Sequence, residues 1–313
     1  MRILLRAIMA LALACTALPA LAQDKVRVLL DWFVNPDHAA LVVAKQRGVF
    51  AKHGLDVELI APADPNAPPK LVAAGQAEYA VSYQPTLQML VAEGLPLVRV
   101  GVLVAQPLNS LVALADGPVK ALADFKGRRI GYSIAGFDEA LLGAMLESAG
   151  LTLKDVTLIN VNFALTTALM SKQVDGVIGA FRNFELNDLE LNKTKGRLWL
   201  VEKNGVPTYD ELILVAKRET VDIARTRKLL AAIAEATAWL KANPAEAWAL
   251  FAKSGKELDN DLNKAAWKDT LPLLADDPVA LDRARYETFA AFLVKRGLIK
   301  QAPSADSYLR DFR

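Results

Sequence analysis

The chain has 313 residues, of which 37 are lysine or arginine, 35 are aspartate or glutamate, two are histidine and one is cysteine. This length allows about two domains, and the near balance of charge excludes the basic surface that nucleic-acid binding requires. One cysteine and two separated histidines, His38 and His53, exclude a disulfide framework and a clustered metal site, so we expect no metal and no cofactor.

Residues 1–22 have the pattern of a secretory signal peptide. Arg2 and Arg6 precede an apolar run at 7–17, and Ala-Leu-Ala at 20–22 supplies an Ala-x-Ala cleavage site. The apolar run is too short for a lasting membrane span. We therefore expect cleavage directly after this segment and a mature protein in the periplasm.

The single cysteine, Cys15, lies inside this segment, so the mature chain has no thiol for a disulfide, a metal or a nucleophile. The alternative is a lipoprotein that is anchored through Cys15. It is less favoured, because Ala12 stands where lipoproteins usually have leucine and because an Ala-x-Ala site follows. Removing the segment also removes two arginines, which leaves basic and acidic residues equal in number.

The first stretch of the mature chain predicts a strand, a polar loop and a helix. An apolar strand at 26–30 leads into the loop 31–38, which holds two aromatics, two acids, an amide and an imidazole. Apolar residues at helical spacing then run over 39–52 and stop at Gly54. Open α/β sheets bind ligands where strands end and helices begin. We therefore expect loop 31–38 to form one wall of a binding cleft.

Two parts of the chain repeat one plan. The Gly-Leu strand pattern at 54–60 recurs at 150–159, and the helix, glutamine, acid and strand pattern at 71–81 recurs at 169–178. Agreement in both order and spacing indicates two similar α/β lobes, each built from βαβ units. Two such lobes would face each other across a cleft.

Apolar runs, bounded by proline and glycine, predict the strands and helices of the two lobes. The predicted strands are at 26–30, 56–60, 79–82, 97–105, 110–115, 129–132 and 174–178, with helices at 68–74, 85–93 and 137–148. The first turn of the helix at 137–148 carries Asp138 and Glu139. These two acids oppose the positive end of the helix dipole, and they favour a neutral or cationic ligand over an anion.

A strand predicted at 211–216 returns to the first lobe, so the chain would cross between the lobes near Asn109 and near Tyr209. From residue 220 onward, the pattern predicts only helices. We therefore expect a double-crossing hinge and a helical C-terminal region. The predicted organisation is a first lobe of 23–109 plus 211–313 and a second lobe of 110–210.

Four short motifs together resemble one protein family. They are Leu-Asp-Trp-Phe-Val-Asn-Pro-Asp-His at 30–38, Ser-Tyr-Gln-Pro at 82–85, Pro-Leu-Asn-Ser at 107–110 and Gly-Ala-Phe-Arg-Asn-Phe-Glu at 179–185. With them, nearly the whole mature chain resembles the thiamine-precursor-binding branch of the bacterial ABC-transporter solute-binding proteins, which is similar to the SsuA/THI5-like family. The resemblance implies a monomeric type II periplasmic binding protein that delivers an aminopyrimidine to an inner-membrane permease.

Trp32 gives the most specific prediction for the site. An indole at a strand end offers a flat face for an aromatic ligand, and the alternative is that it fills the core of its lobe. The resemblance implies that Glu185 accepts the exocyclic amine of the pyrimidine and that Phe181 stacks opposite Trp32. The alternative for Glu185 is a solvated residue that opposes a helix dipole.

Further polar residues at strand ends are predicted to complete the pocket. They are Asp31, Asn35, His38, Ser82, Tyr83, Tyr132 with its neighbour Ser133, and Asn183. A single histidine is more often a structural hydrogen-bonding residue than a ligand contact, so both roles stay open for His38. His53, beside Gly54, is expected to face water at the end of its helix.

These expectations describe the binding protein of an importer and not an enzyme. One alternative is a synthase of the thiamine pyrimidine, because fungal relatives of this fold make that compound; those relatives carry a cysteine-rich motif, which the mature chain lacks. A second alternative is a binding protein for an alkyl sulfonate. That anion would lie beside Glu185, Asp138 and Glu139, which is electrostatically unfavourable.

Overall fold

The computed structural model describes residues 23–313. The predicted signal peptide at 1–22, with Cys15, lies outside the described residues. Among the residues that are described, no helix combines the length and the apolar character that crossing a membrane requires.

Two five-stranded mixed sheets organise the chain. The strands are β1 (Asp24–Leu29), β2 (Leu55–Ile60), β3 (Tyr79–Ser82), β4 (Leu97–Val104), β5 (Asn109–Leu114), β6 (Arg129–Tyr132), β7 (Thr157–Asn160), β8 (Gly176–Phe181), β9 (Gly196–Leu200) and β10 (Leu212–Lys217). The first sheet has the order β2-β1-β3-β10-β4 and the second the order β7-β6-β8-β5-β9. In each sheet one strand, β10 or β5, runs antiparallel to both of its neighbours.

The chain passes between the sheets twice, and each passage delivers the antiparallel strand. β4 ends at Val104 in the first sheet and β5 begins at Asn109 in the second, while β9 ends at Leu200 and β10 begins at Leu212 back in the first. We call the first sheet with its helices lobe 1 and the second sheet with its helices lobe 2. The shared strand order of the two sheets confirms the predicted α/β fold.

One buried carboxyl group ties the two connections together. Glu211 Oε2 accepts hydrogen bonds from the backbone N–H groups of Leu108 (2.6 Å) and Asn109 (2.9 Å) and from the hydroxyl of Tyr209 (2.9 Å). Burial raises the pKa of Glu211 to about 7. Because Leu108 and Asn109 belong to the first connection and Glu211 to the second, this carboxyl holds the two hinge segments side by side.

Helices cover both sheets and form the C-terminal region. They are α1 (Ala39–Gln46), α2 (Val49–Lys52), α3 (Pro68–Ala73), α4 (Gln84–Ala92), α5 (Phe137–Ser148), α6 (Leu165–Met170), α7 (Glu185–Leu191), α8 (Ile223–Ala242), α9 (Pro244–Lys253), α10 (Asp261–Thr270), α11 (Arg283–Lys295) and α12 (Ala305–Tyr308). The helix predicted at 39–52 is divided into α1 and α2, because Gly48 adopts a left-handed conformation with φ of 68°. α8 packs on α1 and α2, which joins the C-terminal helices to lobe 1.

Candidate functional site

A cleft between the lobes collects the loops that follow β1, β3, β6 and β8. Lobe 1 contributes Asp31, Trp32, Asn35, Asp37 and Tyr83 to its wall. Lobe 2 contributes Asn109, Ser133, Ile134, Phe137, Asp138, Gly179, Phe181, Phe184 and Glu185. The carboxyl ends of parallel strands meet at one edge of each sheet, and ligand sites of α/β proteins usually lie at that edge.

The loop after β1 is held by its own side chains. Asn35 Oδ1 accepts the N–H of Asp37 at 2.8 Å and caps a short 3₁₀ helix, Pro36–His38. His38 Nδ1 accepts the N–H of Asn35 at 3.3 Å, and His38 Nε2 lies 2.9 Å from Asp31 Oδ1. Because Nδ1 accepts a hydrogen bond, Nε2 is the nitrogen that donates a hydrogen bond to Asp31. His38 is therefore a buried positioning residue behind the wall of the cleft.

Tyr83 fixes Asp31 from a second side. Its hydroxyl donates a hydrogen bond to Asp31 Oδ2 at 2.7 Å. Burial, together with the negative charge of Asp31, raises the pKa of Tyr83 well above its ordinary value, so the phenol remains a donor. The Tyr83 ring also stacks on Phe137 of lobe 2, with centroids 5.0 Å and planes 22° apart. Both oxygens of Asp31 are thus engaged within lobe 1, while the ring of Tyr83 contacts lobe 2.

Trp32 lines the cleft from lobe 1 and is 9% exposed. Its ring meets Phe163 of lobe 2 at 66°, with centroids 4.6 Å apart. The indole Nε1 is buried, and no atom of residues 23–313 accepts a hydrogen bond from it. Leaving a buried donor unpaired costs about 1–3 kcal/mol. This N–H is therefore suited to an acceptor on a ligand.

Glu185 lines the cleft from lobe 2, at the first residue of α7, and is 8% exposed. Its Oε2 accepts the backbone N–H of Phe181, another lining residue, at 2.7 Å. Burial above all, with the neighbouring carboxyl of Asp37, raises the pKa of Glu185 to about 8. The solvated role that the sequence left open for Glu185 is wrong, because this carboxyl is withdrawn from water.

Asp138, in the first turn of α5, binds the loop that precedes this helix. Its Oδ2 accepts the backbone N–H groups of Ser133 and Ile134, both at 2.9 Å. A Cβ on Gly179, whose φ is 97°, would lie 2.9 Å from the same oxygen, so only glycine fits there. Burial raises the pKa of Asp138 to about 7. The protein's own carboxyl group thus satisfies the amides that could hold an anionic ligand.

The ionisable side chains that line the cleft are all acidic groups. Four carboxyl groups line it, those of Asp31, Asp37, Asp138 and Glu185, and the described residues that line it include no lysine, arginine or histidine. Burial raises the pKa of Asp37 to about 6, and its Oδ2 is buried with no partner within the described chain. Such a site suits a ligand that is rich in hydrogen-bond donors or that carries a positive charge, and it disfavours an anion.

Three further residues predicted for the pocket do not line the cleft. Ser82 is buried at the end of β3 and borders an adjoining cavity instead. Tyr132, the last residue of β6, packs on the core of lobe 2, because alternate residues of a strand point to opposite sides and the next residue, Ser133, lines the cleft. Asn183 is buried between the lobes, where its amide donates to Asp37 Oδ1 at 2.7 Å.

Sequence reasoning missed most of the lining that comes from lobe 2, and it also missed Asp37. The missed residues are Asp37, Asn109, Ile134, Phe137, Asp138, Gly179 and Phe184. For Asp138 the sequence predicts an interaction with the helix dipole and a position near the ligand, but not its contact with the loop amides. The positive φ of Gly179 is a property of the folded backbone that a single sequence does not reveal. Within residues 23–313, no group of three or more ligating side chains is placed to hold a metal ion.

The two lobes touch around the cleft, so this conformation is closed. Asn66 of lobe 1 donates to the carbonyl oxygen of Ser133 at 3.1 Å and accepts the N–H of Ala135 at 2.9 Å. Phe33, which is 41% exposed, lies 6.3 Å from Phe163 of lobe 2 between ring centroids. Polar and aromatic contacts therefore both join the lobes beside the site.

Comparison with known proteins agrees with the motifs. Residues 35–247 match the NMT1/THI5-like family. A protein of Haemophilus influenzae that is named for thiamine biosynthesis is 53% identical over 292 residues, which are 93% of each chain. The formylaminopyrimidine-binding protein of Halalkalibacterium halodurans is 33% identical over 259 residues, which are 82% of this chain and 78% of that one.

The fold also has solved counterparts. The alkanesulfonate-binding protein SsuA of Xanthomonas axonopodis superposes with a TM-score of 0.73 at 17% identity, over 91% of this chain and 98% of that chain, which confirms the predicted periplasmic-binding-protein fold. More distant relatives include a 4-amino-5-hydroxymethyl-2-methylpyrimidine phosphate synthase of Legionella pneumophila, 24% identical over 264 residues, which are 83% of each chain. From the family match and the first two relatives, the chain belongs to the NMT1/THI5-like family.

Proposed function

We propose that the protein is the periplasmic binding component of an ABC importer and that it closes on a thiamine-related aminopyrimidine, such as formylaminopyrimidine. The observation that carries this proposal is that Trp32 of lobe 1 and Glu185 of lobe 2 line one cleft whose ionisable groups are carboxyls and a phenol. Relatives named for thiamine biosynthesis and for formylaminopyrimidine binding support the same ligand class.

The edge of an aminopyrimidine matches a buried carboxyl group. It presents an amino donor beside a ring nitrogen that accepts a hydrogen bond, and a protonated carboxyl offers the complementary acceptor and donor. Since its pKa is raised to about 8, Glu185 would enter the pair at neutral pH with its proton. Transfer of that proton to the ring would give a carboxylate and a cationic ring, which is a charge-assisted pair.

The faces and remaining edges of the ring have partners as well. Trp32 would cover one face and Phe181 the other, and the pair would exclude water from the polar edge. The unpaired Trp32 Nε1 and Asp37 Oδ2 offer one donor and one acceptor to the ring and its substituents. Because these groups come from both lobes, ligand binding would favour the closed state that the permease recognises.

The same charges argue against the sulfonate alternative. A sulfonate would meet four carboxyl groups, and the backbone amides of Ser133 and Ile134, in the loop before α5, already bond to Asp138. The likeness to SsuA is one of fold alone. The synthase alternative rests on more distant relatives at 24% identity. No feature of the described cleft favours sulfonate binding or synthase activity over aminopyrimidine binding.

Titration calorimetry tests the proposal with formylaminopyrimidine, thiamine and taurine as ligands. We expect formylaminopyrimidine to bind with one site per chain and taurine to give no heat. Binding of taurine in preference to every pyrimidine would overturn the proposal. Mass spectrometry of ligand retained through purification identifies the natural ligand directly, and incubation with pyridoxal phosphate and iron, with analysis for a pyrimidine product, tests the synthase alternative.

A further inference from the structure

A second cavity adjoins the cleft and shares part of its wall. It lies between the loop around Pro65 and Asn66, the start of α4, and the loop 134–136 of lobe 2. We call it the side chamber. Asp31, Tyr83 and Ile134 line both the side chamber and the cleft, so the two spaces adjoin each other. A substituent that points to this side from a ring in the cleft would therefore enter the side chamber.

Two hydroxyl groups in the wall of the side chamber have no hydrogen bond. Ser82, which is 1% exposed, and Thr86, the third residue of α4, both line the chamber. The Oγ of Ser82 and the Oγ1 of Thr86 are buried, and neither finds a partner anywhere in residues 23–313. Folding leaves few such groups unsatisfied, since each costs about 1–3 kcal/mol. Two of them in the wall of one cavity point to a polar group that arrives with the ligand.

The charges around the chamber define the kind of group. Lys70 is the one cation among its described lining residues, and Asp31 and Glu93 carry carboxyl groups in the same wall. Both oxygens of Asp31 are already engaged, by His38 and by Tyr83. An anionic group would enter a field set by these acids and by the carboxyls of the cleft. A neutral carbonyl oxygen has two lone pairs and can accept from two hydroxyls without that penalty.

We propose that the side chamber binds the acyl-bearing substituent of the ligand, with the hydroxyls of Ser82 and Thr86 donating to a carbonyl oxygen such as that of a formamide. This inference rests on the proposed function and deepens it. It assigns to the side chamber the discrimination between an N-acylated aminomethylpyrimidine and the corresponding hydroxymethylpyrimidine. The latter has no carbonyl to satisfy the two hydroxyls.

Closure of the lobes completes the chamber. The loop 134–136 belongs to lobe 2, while the residues it faces belong to lobe 1. The two hydrogen bonds of Asn66 with Ser133 and Ala135 join the lobes at this place. A substituent that fills the chamber therefore contacts both lobes, so an acylated ligand gains additional stabilisation of the closed form.

Calorimetry on the full chain tests this with three ligands, namely formylaminopyrimidine, hydroxymethylpyrimidine and hydroxymethylpyrimidine phosphate, and with the variants Ser82→Ala and Thr86→Val. We expect the wild type to bind the formyl compound at least about 10-fold more tightly than the hydroxymethyl compound, and each variant to reduce that preference about 3- to 10-fold. The affinity for the hydroxymethyl compound should stay within about twofold. Both variants should fold, since neither removed hydroxyl makes a hydrogen bond.

Ser254→Ala is the matched control, because that hydroxyl bonds to the carbonyl of Phe251 at the end of α9, away from the chamber. It should change neither affinity. The inference is overturned if both variants keep the full preference for the formyl compound, or if the phosphate binds more tightly than the formyl compound. If no pyrimidine binds the wild type, the proposed function fails, and this inference fails with it.

Discussion

Asn183 of lobe 2 donates a hydrogen bond across 2.7 Å to Asp37 of lobe 1, beside the cleft. The same amide nitrogen donates to Thr270 Oγ1 of α10 at 2.8 Å, and all three side chains are buried. Burial raises the pKa of Asp37 to about 6, while the bond from Asn183 lowers it. The side-chain amide of Asn183 thus connects the two lobes next to the site, because it donates to both a carboxyl group and a hydroxyl group.

Removal of this amide should weaken ligand binding. We expect Asn183→Ala to raise the Kd for the pyrimidine about 10-fold, since a buried hydrogen bond to an ionisable group contributes about 1.5–3 kcal/mol and exists only when the lobes are closed. Calorimetry gives the Kd. Small-angle scattering, with and without ligand, reports the degree of closure.

Asn187→Ala is the control for this prediction. Asn187 also reaches from α7 to lobe 1, where it donates to Asp269 Oδ2 at 2.8 Å, but that contact is exposed. Exposed polar contacts contribute little, so its Kd should stay within about twofold of the wild type. Equal effects of the two alanine variants would show that the buried bond has no special part in closure.

Ligand affinity should fall as the pH rises above about 8. The proposed pair between Glu185 and the ring needs one shared proton, and Glu185 supplies it only below its raised pKa of about 8. At higher pH an ionised carboxyl faces a neutral ring nitrogen, and the two acceptors repel. Calorimetry at several pH values between about 6 and 9.5 gives the profile.

Two variants separate the proton from the rest of the contact. Glu185→Gln retains an acceptor and gains a fixed amide donor, so we expect it to bind the ligand with little dependence on pH in this range. Glu185→Ala should lose about 10- to 100-fold in affinity at neutral pH. A pH profile of Glu185→Gln that matches the wild type would mean that a different group titrates.

Binding should quench the fluorescence of Trp32. The chain has five tryptophans, and Trp32 is the one that lines the cleft in the described residues. A heteroaromatic ring stacked on the indole would change its emission, while the other tryptophans would be unaffected. Trp32→Phe should keep a stacking surface, bind within about 10-fold of the wild type and lose the signal. A signal of the same size in Trp32→Phe would place the ligand elsewhere.

The closed protein should become less stable between about pH 5 and pH 8. The pKa values of Asp37, Asp138, Glu185 and Glu211 are raised to about 6, 7, 8 and 7, whereas such groups titrate near about 4 in an unfolded chain. In this window the folded chain holds more protons than the unfolded chain, so the free energy of unfolding falls as the pH rises. Calorimetric Tm values across the window measure the slope.

Glu211→Gln tests how much one of these four carboxyl groups contributes to the pH dependence of stability. All three hydrogen bonds to Glu211 are accepted by Oε2, so a glutamine oxygen can keep them. The variant removes one titrating group, and its Tm should decline less steeply between about pH 5 and pH 8 than that of the wild type. An unchanged slope would mean that Glu211 is already ionised in the folded protein.

The sequence was sufficient for the fold because its repeated pattern is strong. The echo of 54–60 at 150–159 corresponds to β2 and β7, which hold the same position in the two sheets. Loop 31–38 is placed at the cleft by its position after a strand, and Glu185 by the resemblance to the family. The prediction of the fold depends on the spacing of apolar residues and on the order of predicted elements along the chain, and both can be read from the sequence alone.

The rest of the site depends on side-chain direction and on contacts between distant residues. His38 and Trp32 belong to one loop, yet the cap formed by Asn35 turns His38 behind the wall. Asp138 stands in the first turn of a helix, where the dipole alone explains an acid, and only the folded loop shows that it binds two amides. Asn183 acquires its role from Asp37, which is distant in the sequence.

Gly179 links the backbone of β8 to the acid at the start of α5, and its substitution should affect both stability and binding. In Gly179→Ala the new Cβ would lie 2.9 Å from Asp138 Oδ2, on a residue with φ of 97°. We expect a loss of about 2–4 kcal/mol of stability, measured by denaturant unfolding, together with weaker ligand binding, because Asp138 must move away from its amides. Gly48→Ala is the control: φ is 68° there and nothing lies within 4 Å, so only the left-handed conformation, at about 1–2 kcal/mol, should count. If both variants lost the same stability, the contact with Asp138 would not constrain this residue, and the account of how that carboxyl is held in place would be wrong.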